Sequence, residues 1–187
     1  METYFTQDDE CLKWEEKECT KLLSTVVFDV TSQKCCSKQN VEGQYIICDA
    51  KDWVAVIAEH DDKFLMVKQW RHGEKALSVE FPGGVIEKNE EPIEAARREL
   101  KEETGAVAGK MIFLGKVNPN PALFSNHFHV FLAQDLQFTG SQNLDHDEFI
   151  NCIQIDKKDV VEAMGSSEFP HALMASALFL YMKHKMI

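Results

Sequence analysis

The chain has 187 residues, 44% of them apolar and 27% charged, with a formal net charge of −11. That length suffices for one core and is short for two, and the acidic balance argues against a nucleic-acid footprint, which needs Lys and Arg clustered on one face. The longest apolar stretches, Trp53 to Ala58 and Ala172 to Leu180, fall short of the ~20 residues that cross a bilayer. The acidic start, Met1 to Glu10, lacks the basic and then apolar pattern of a secretory signal. The expectation is a cytoplasmic protein that contacts neither membrane nor nucleic acid.

Six cysteines, at 11, 19, 35, 36, 48 and 152, show no C-x-x-C spacing. That pattern points to reduced thiols and not to a zinc knuckle or a disulfide framework.

In chain order, Leu22 to Val30 and Gln44 to Cys48 have strand-like content, and the polar stretch Thr31 to Gly43 between them suits a hairpin or loop. Trp53 to Ala58 and Phe64 to Lys68 are β-rich runs joined by the polar turn Glu59 to Lys63, and are expected at the centre of a sheet. Further strands are expected at Met111 to Val117, His127 to Ala133 and Phe149 to Ile155. Lys157 to Met164 and Ala172 to Lys183 have the pattern of closing helices, the second with Leu173, Ala177 and Leu180 at helical spacing. No repeat or linker interrupts the pattern, so one mixed α/β unit is expected.

The strongest local signal is Glu80-Phe81-Pro82-Gly83-Gly84 followed by a helix. Pro92 suits its first turn, Gly105 the position just past its end, and Ile93 to Thr104 are rich in helix formers. Glu99 and Glu103, four residues apart, share one face, with Glu102 alongside. Such a run is by itself a solvated acidic face. The preceding double glycine allows close backbone approach, and Arg98 can fix a carboxylate in bidentate geometry with Glu90 in reach. Together they favour a site for a hard divalent cation, Mg²⁺ or Mn²⁺. Such ions could neutralise a diphosphate and activate a water.

Gly84, five residues, Glu90, seven residues, then Arg98-Glu99-Leu100-Lys101-Glu102-Glu103-Thr104-Gly105-Ala106 resembles the complete Nudix box. The resemblance implies an α/β/α sandwich with a mixed central sheet and, on residues 84–106, a loop-helix-loop. Glu99, Glu102, Glu103 and the Gly83 carbonyl would then bind metal, with Glu102 and Glu103 catalytic and Arg98 and Glu90 as structural partners. Lys68-Gln69-Trp70-Arg71 ahead of Glu80-Phe81-Pro82-Gly83-Gly84 is similar to segments of ADP-ribose pyrophosphatases and related nucleoside diphosphate sugar hydrolases. That subgroup implies Mg²⁺-dependent hydrolysis of ADP-ribose to AMP and ribose 5-phosphate. GDP-mannose, dinucleoside polyphosphates and capped RNA are the alternatives, and a non-catalytic nucleotide sensor is disfavoured by the intact acidic set. It also implies a homodimer built through a β-rich segment at residues 1–48, ahead of a hydrolase domain at 49–187.

Substrate contacts are expected from Arg71, Glu80, Phe124 and Asn126. Arg71 suits phosphate oxygens or the terminal ribose, or else a surface ion pair. Asn120-Pro121-Ala122 stands where the subgroup often has Ser-Pro-Gly, which leaves the terminal sugar open. The base would come from the acidic loop Asn143 to Glu148, with Asp147 and Glu148 the candidates and Asp145 next.

Overall fold

A short 3₁₀ turn, Gln7–Leu12, leads into three strands, β1 (Trp14–Ser24), β2 (Phe28–Ser37) and β3 (Glu42–Ala50), in a computed structural model that describes residues 3–187. They form an antiparallel sheet in the order β1-β2-β3, part of a first compact unit that comprises the chain up to Lys51 together with Asn120–Asn126. The expected strand at 22–30 is corrected here, and of the two readings of 31–43 the structure has the hairpin, with 31–37 as one arm and 42–43 opening the other. The chain turns at Thr25, whose hydroxyl accepts from the amides of Val27 and Phe28, and the polar residues 31–37 are strand. Their backbone pairs on both sides, Cys35 with Glu16 and with Gly43. The misreading has a physical cause. All eleven residues of β1 are exposed, so no apolar alternation marks this sheet, and strand geometry here rests on ladder hydrogen bonds.

Within the same unit the segment Asn120–Asn126 docks on β3. The Cys48 amide donates to the Leu123 carbonyl at 2.7 Å, and the Asn126 side-chain amide donates to the Lys51 carbonyl at 2.8 Å.

The second unit, Asp52–Pro119 with His127–Ile187, contains β4 (Trp53–His60), β5 (Lys63–Arg71), β6 (Ala76–Glu80), α1 (Pro92–Thr104), β7 (Ala106–Val117), β8 (Phe128–Phe138), β9 (Asn151–Asp156), α2 (Lys157–Ala163) and α3 (Ala172–Met186). The sheet order is β6-β5-β4-β8-β7, with β9 paired to β5. Only β4 and β8 run parallel; the other pairs are antiparallel. The Glu59 to Lys63 turn tightens to two residues, Asp61 and Asp62, and Asp61 takes φ 52°, a left-handed position that Asp tolerates.

Burial follows the two-residue period of a strand. In β4, Ala55 and Ile57 face one way and pack with Val130, Leu132 and the α3 residues Met174, Ala177 and Leu178. Val54, Val56 and Ala58 face the other way and pack with the α1 residues Ala95, Ala96 and Leu100. A strand covered on both faces has to be apolar at consecutive positions, which accounts for the unbroken Val-Ala-Val-Ile-Ala run. The result is an α/β/α sandwich with a mixed central sheet. Among the described residues, no helix is long and apolar enough to cross a membrane.

Glu59, at the end of β4, fastens α3 to this sheet. It accepts from Gln134 and Tyr181 at 2.8 Å and from Lys185 at 3.0 Å, with Lys157 at 3.4 Å. Burial pushes its carboxyl up, but those donors outweigh burial and hold it at about 2, against an ordinary 4.5. A depressed carboxyl stabilises the fold above the unfolded value and loses that contribution as pH falls. Glu59→Gln should therefore lower stability at neutral pH by roughly 1–3 kcal/mol. In thermal melts the gap to the parent should close between pH 4.5 and about 2.

Candidate active site

After β6 the chain runs back along β4. The amides of Val56, Val54 and Ile86 donate to the carbonyls of Pro82, Gly84 and Asp52 at 2.8–2.9 Å. Successive carbonyls of an extended run alternate sides, so the Gly83 peptide faces away from β4 and toward α1. Its amide donates to the Glu103 carboxylate at 2.8 Å. Both glycines sit close against a neighbour, Gly83 against strand backbone and Gly84 against a side chain. A Cβ on Gly83 would lie 2.1 Å from the Val54 carbonyl oxygen, and one on Gly84 would lie 2.5–2.8 Å from the Glu99 carboxylate.

On α1, Pro92 occupies the first turn and Gly105, at φ 67°, forms the left-handed cap. The buried face consists of Ala95, Ala96, Glu99, Leu100 and Glu103. Two carboxylates at helical spacing are thus pressed, with the apolar residues, against the glycine loop. Glu102 stands at the margin, about a third exposed.

Arg98 ties the acidic groups together. It grips Glu90 through two nitrogens at 2.9 and 3.0 Å and reaches Glu99 at 2.8 Å, Glu102 at 3.1 Å and the Val85 carbonyl at 3.1 Å. Glu90 in turn accepts from the Glu87 amide at 2.9 Å. One guanidinium therefore orients three carboxylates and the loop ahead of the helix.

The charge balance at the buried end is unfavourable without a cation. Burial raises the Glu103 carboxyl to about 8; the Gly83 amide opposes this, and the charges of Glu99 and Glu148 add to it. Burial likewise raises Glu99, against Arg98 and with Glu102 and Glu148. Among the described residues, no three His, Cys, Asp or Glu side chains converge as metal ligands. Arg98 draws Glu99 and Glu102, while Gly83 holds Glu103. The donor set, hard carboxylate oxygens crowded at a buried position, fits a divalent cation.

Other expected residues are placed as follows. Arg71 forks onto Glu80 at 2.6 and 2.7 Å, and Glu80 is fully buried. Arg71 is thus in the ion pair, while its side chain stays partly exposed and its charge reaches Glu103. Glu148 is half-buried and its charge adds to the upward shift of Glu99 and Glu103, whereas Asp147 and Asp145 are exposed. Phe124 and Asn126 belong to the first unit, where Phe124 meets Phe28 edge-on and Asn126 is buried. Thr139, Gln142 and Asn143, which hydrogen-bond the end of α1, gave no sequence signal, because Thr-Gly-Ser-Gln-Asn is ordinary loop composition.

A model of the NUDIX domain matches residues 50–169. The chain belongs to the Nudix family. This Nudix hydrolase is 38% identical over 127 residues to an ADP-ribose pyrophosphatase of Bacillus subtilis, covering 67% of this chain and 69% of that protein. It is 30% identical over 130 residues to the ADP compounds hydrolase NudE of Escherichia coli, covering 70% and 69%. A crystal structure of an ADP compounds hydrolase superposes with a TM-score of 0.80 at 25% identity, covering 92% of this chain and 94% of the other.

The two glycines should fail differently on substitution. At Gly83 the obstacle is β4 backbone, so Gly83→Ala should destabilise the fold by about 1–3 kcal/mol or more. At Gly84 the obstacle is the end of a flexible side chain, so Gly84→Ala should fold normally but bind Mn²⁺ more weakly. Urea denaturation and Mn²⁺ titration of both variants check this.

Proposed function

We propose that this Nudix hydrolase cleaves the diphosphate of ADP-ribose to AMP and ribose 5-phosphate, with Mg²⁺ as the resident ion and Mn²⁺ as a substitute. The observation that carries the proposal is the buried pair Glu99 and Glu103 beside the Gly83 peptide, which holds Glu103, with Arg98 fixing Glu99 and Glu102. The names of the similar ADP-ribose pyrophosphatase and ADP compounds hydrolase supply the substrate class.

Glu99, Glu102, Glu103 and the Gly83 carbonyl would hold the ion. When bound it neutralises diphosphate oxygens and lowers the pKa of a water. The chain's own groups do the rest. Arg71, braced by Glu80, meets a phosphate oxygen with the part of its guanidinium left accessible. Glu148 takes a proton from the attacking water, with Asp147 as the next candidate. The water oxygen adds to one phosphorus, the bond from that phosphorus to the bridging oxygen breaks, and the two monophosphates leave.

The enzyme acts as a homodimer in the cytoplasm, with residues 1–48 as the dimerisation element. The exposed β1 with Trp14, Leu22 and Leu23 uncovered supports the first point. Six free thiols support the second.

With Mg²⁺ the protein should release AMP from ADP-ribose faster than it cleaves GDP-mannose or a dinucleoside polyphosphate. Glu103→Gln should lower kcat by at least about a hundredfold. A wild-type rate in that variant, measured by AMP release, would refute the metal assignment. Analytical ultracentrifugation should give twice the 21.4 kDa chain mass.

A further inference from the structure

The last carbonyls of a helix have no partner inside it and must find one elsewhere. At the end of α1 the Glu102 and Glu103 carbonyls, and that of the capping Gly105, are taken by residues between Thr139 and Cys152. The Glu102 carbonyl accepts from the Asn143 amide at 2.8 Å, and the Gly105 carbonyl accepts from both the amide and the hydroxyl of Thr139 at 2.8 Å. The Glu103 carbonyl accepts from the Gln142 side-chain amide and from the Cys152 thiol. Glu102 and Glu103 also carry two of the acidic side chains of the site, so this segment grips the backbone that aims them.

Gln142 does more than cap. Its Nε2 also lies 3.3 Å from the Ile150 carbonyl and 3.4 Å from the Cys152 sulfur. One amide group thus joins the end of α1, the entry of the acidic loop and its exit at buried Ile150. Between those two ends lie Asp145, Asp147 and Glu148. A short turn, in which the Glu148 amide donates to the Asp145 carbonyl and the Asp145 amide to the Glu148 carboxylate, each at 3.1 Å, closes the span.

We infer that Gln142 is a positioning residue, which holds both ends of the acidic loop to the Glu103 backbone and thereby sets Glu148 against Glu99 and Glu103. The inference rests on the reading of Glu148 as the proton acceptor. The tie is chemically specific, because a carbonyl accepts only from a donor. A side chain of equal length with no N–H leaves the Glu103 carbonyl with the weak thiol donor alone and removes the contact with the Ile150 carbonyl. Shape alone does not replace it.

The test is a double-mutant cycle on ADP-ribose hydrolysis, with Gln142→Met as the near-isosteric variant, Gln142→Ala as its check and Glu148→Gln as the partner. Each Gln142 variant should lose about tenfold to a hundredfold in kcat, with KM and Mn²⁺ affinity within about twofold of the parent. Added to Glu148→Gln, either should cost less than about twofold more, because residues acting through one group are not additive. Full additivity, or a loss of Mn²⁺ affinity equal to the loss in kcat, overturns the inference and makes Gln142 a helix cap only. If Glu148→Gln alone keeps the parent rate, the assignment of Glu148 fails and the inference with it. If Glu148→Gln is impaired but the Gln142 variants are not, only the positioning role fails.

Discussion

The site depends on one short contact, the Gly83 amide on the Glu103 carboxylate. It requires the backbone after β6 to lie against β4 with no Cβ between them, and it requires α1 to turn its Glu99 and Glu103 face inward. Neither condition is met by a helix or a loop alone. A buried carboxylate needs donors or a cation, and Gly83 supplies one donor while its neighbours raise the carboxyl further. The fold therefore holds a pair of acidic groups in a state that a divalent cation relieves. Arg98 keeps Glu90, Glu99 and Glu102 in order, while Glu103 is held by the Gly83 amide.

The sheet makes that geometry rigid. β4 is covered on both faces, by α1 on one and by α3 on the other. The glycine loop that follows β6 is hydrogen-bonded along the same strand. The site is thus referenced to the most deeply buried element of the unit, and Glu59 fixes the opposite helical layer to it at the far end of the strand. Close packing on both sides is what allows a 2.8 Å contact to persist at one position.

Legibility in the sequence varied with how local the cause was. The α1 boundaries follow from Pro92 and Gly105, and the central strands from their uninterrupted apolar runs. The first unit was legible in kind but not in register, because β1 is exposed on both sides and its neighbour β2 has polar residues through Ser37. Arg71 kept two readings in the sequence. The structure shows its fork on Glu80 nine residues away, a pairing made by adjacent strands β5 and β6. Gln142 had no legible role, since its partners Glu103 and Ile150 are set by where a loop lands on a helix end.

The sequence by itself determined the chemistry at the diphosphate: the glycines, the helix and the glutamates lie within residues 83–105, where covalent spacing and a 3.6-residue period decide which groups meet. Tertiary structure decided what surrounds that helix. It buried Glu103 against Gly83, brought Glu148 within electrostatic reach across 45 residues of chain and fastened the acidic loop through Gln142. Those outcomes depend on long-range closure of the sheet and on backbone groups, and no local pattern of side chains encodes them.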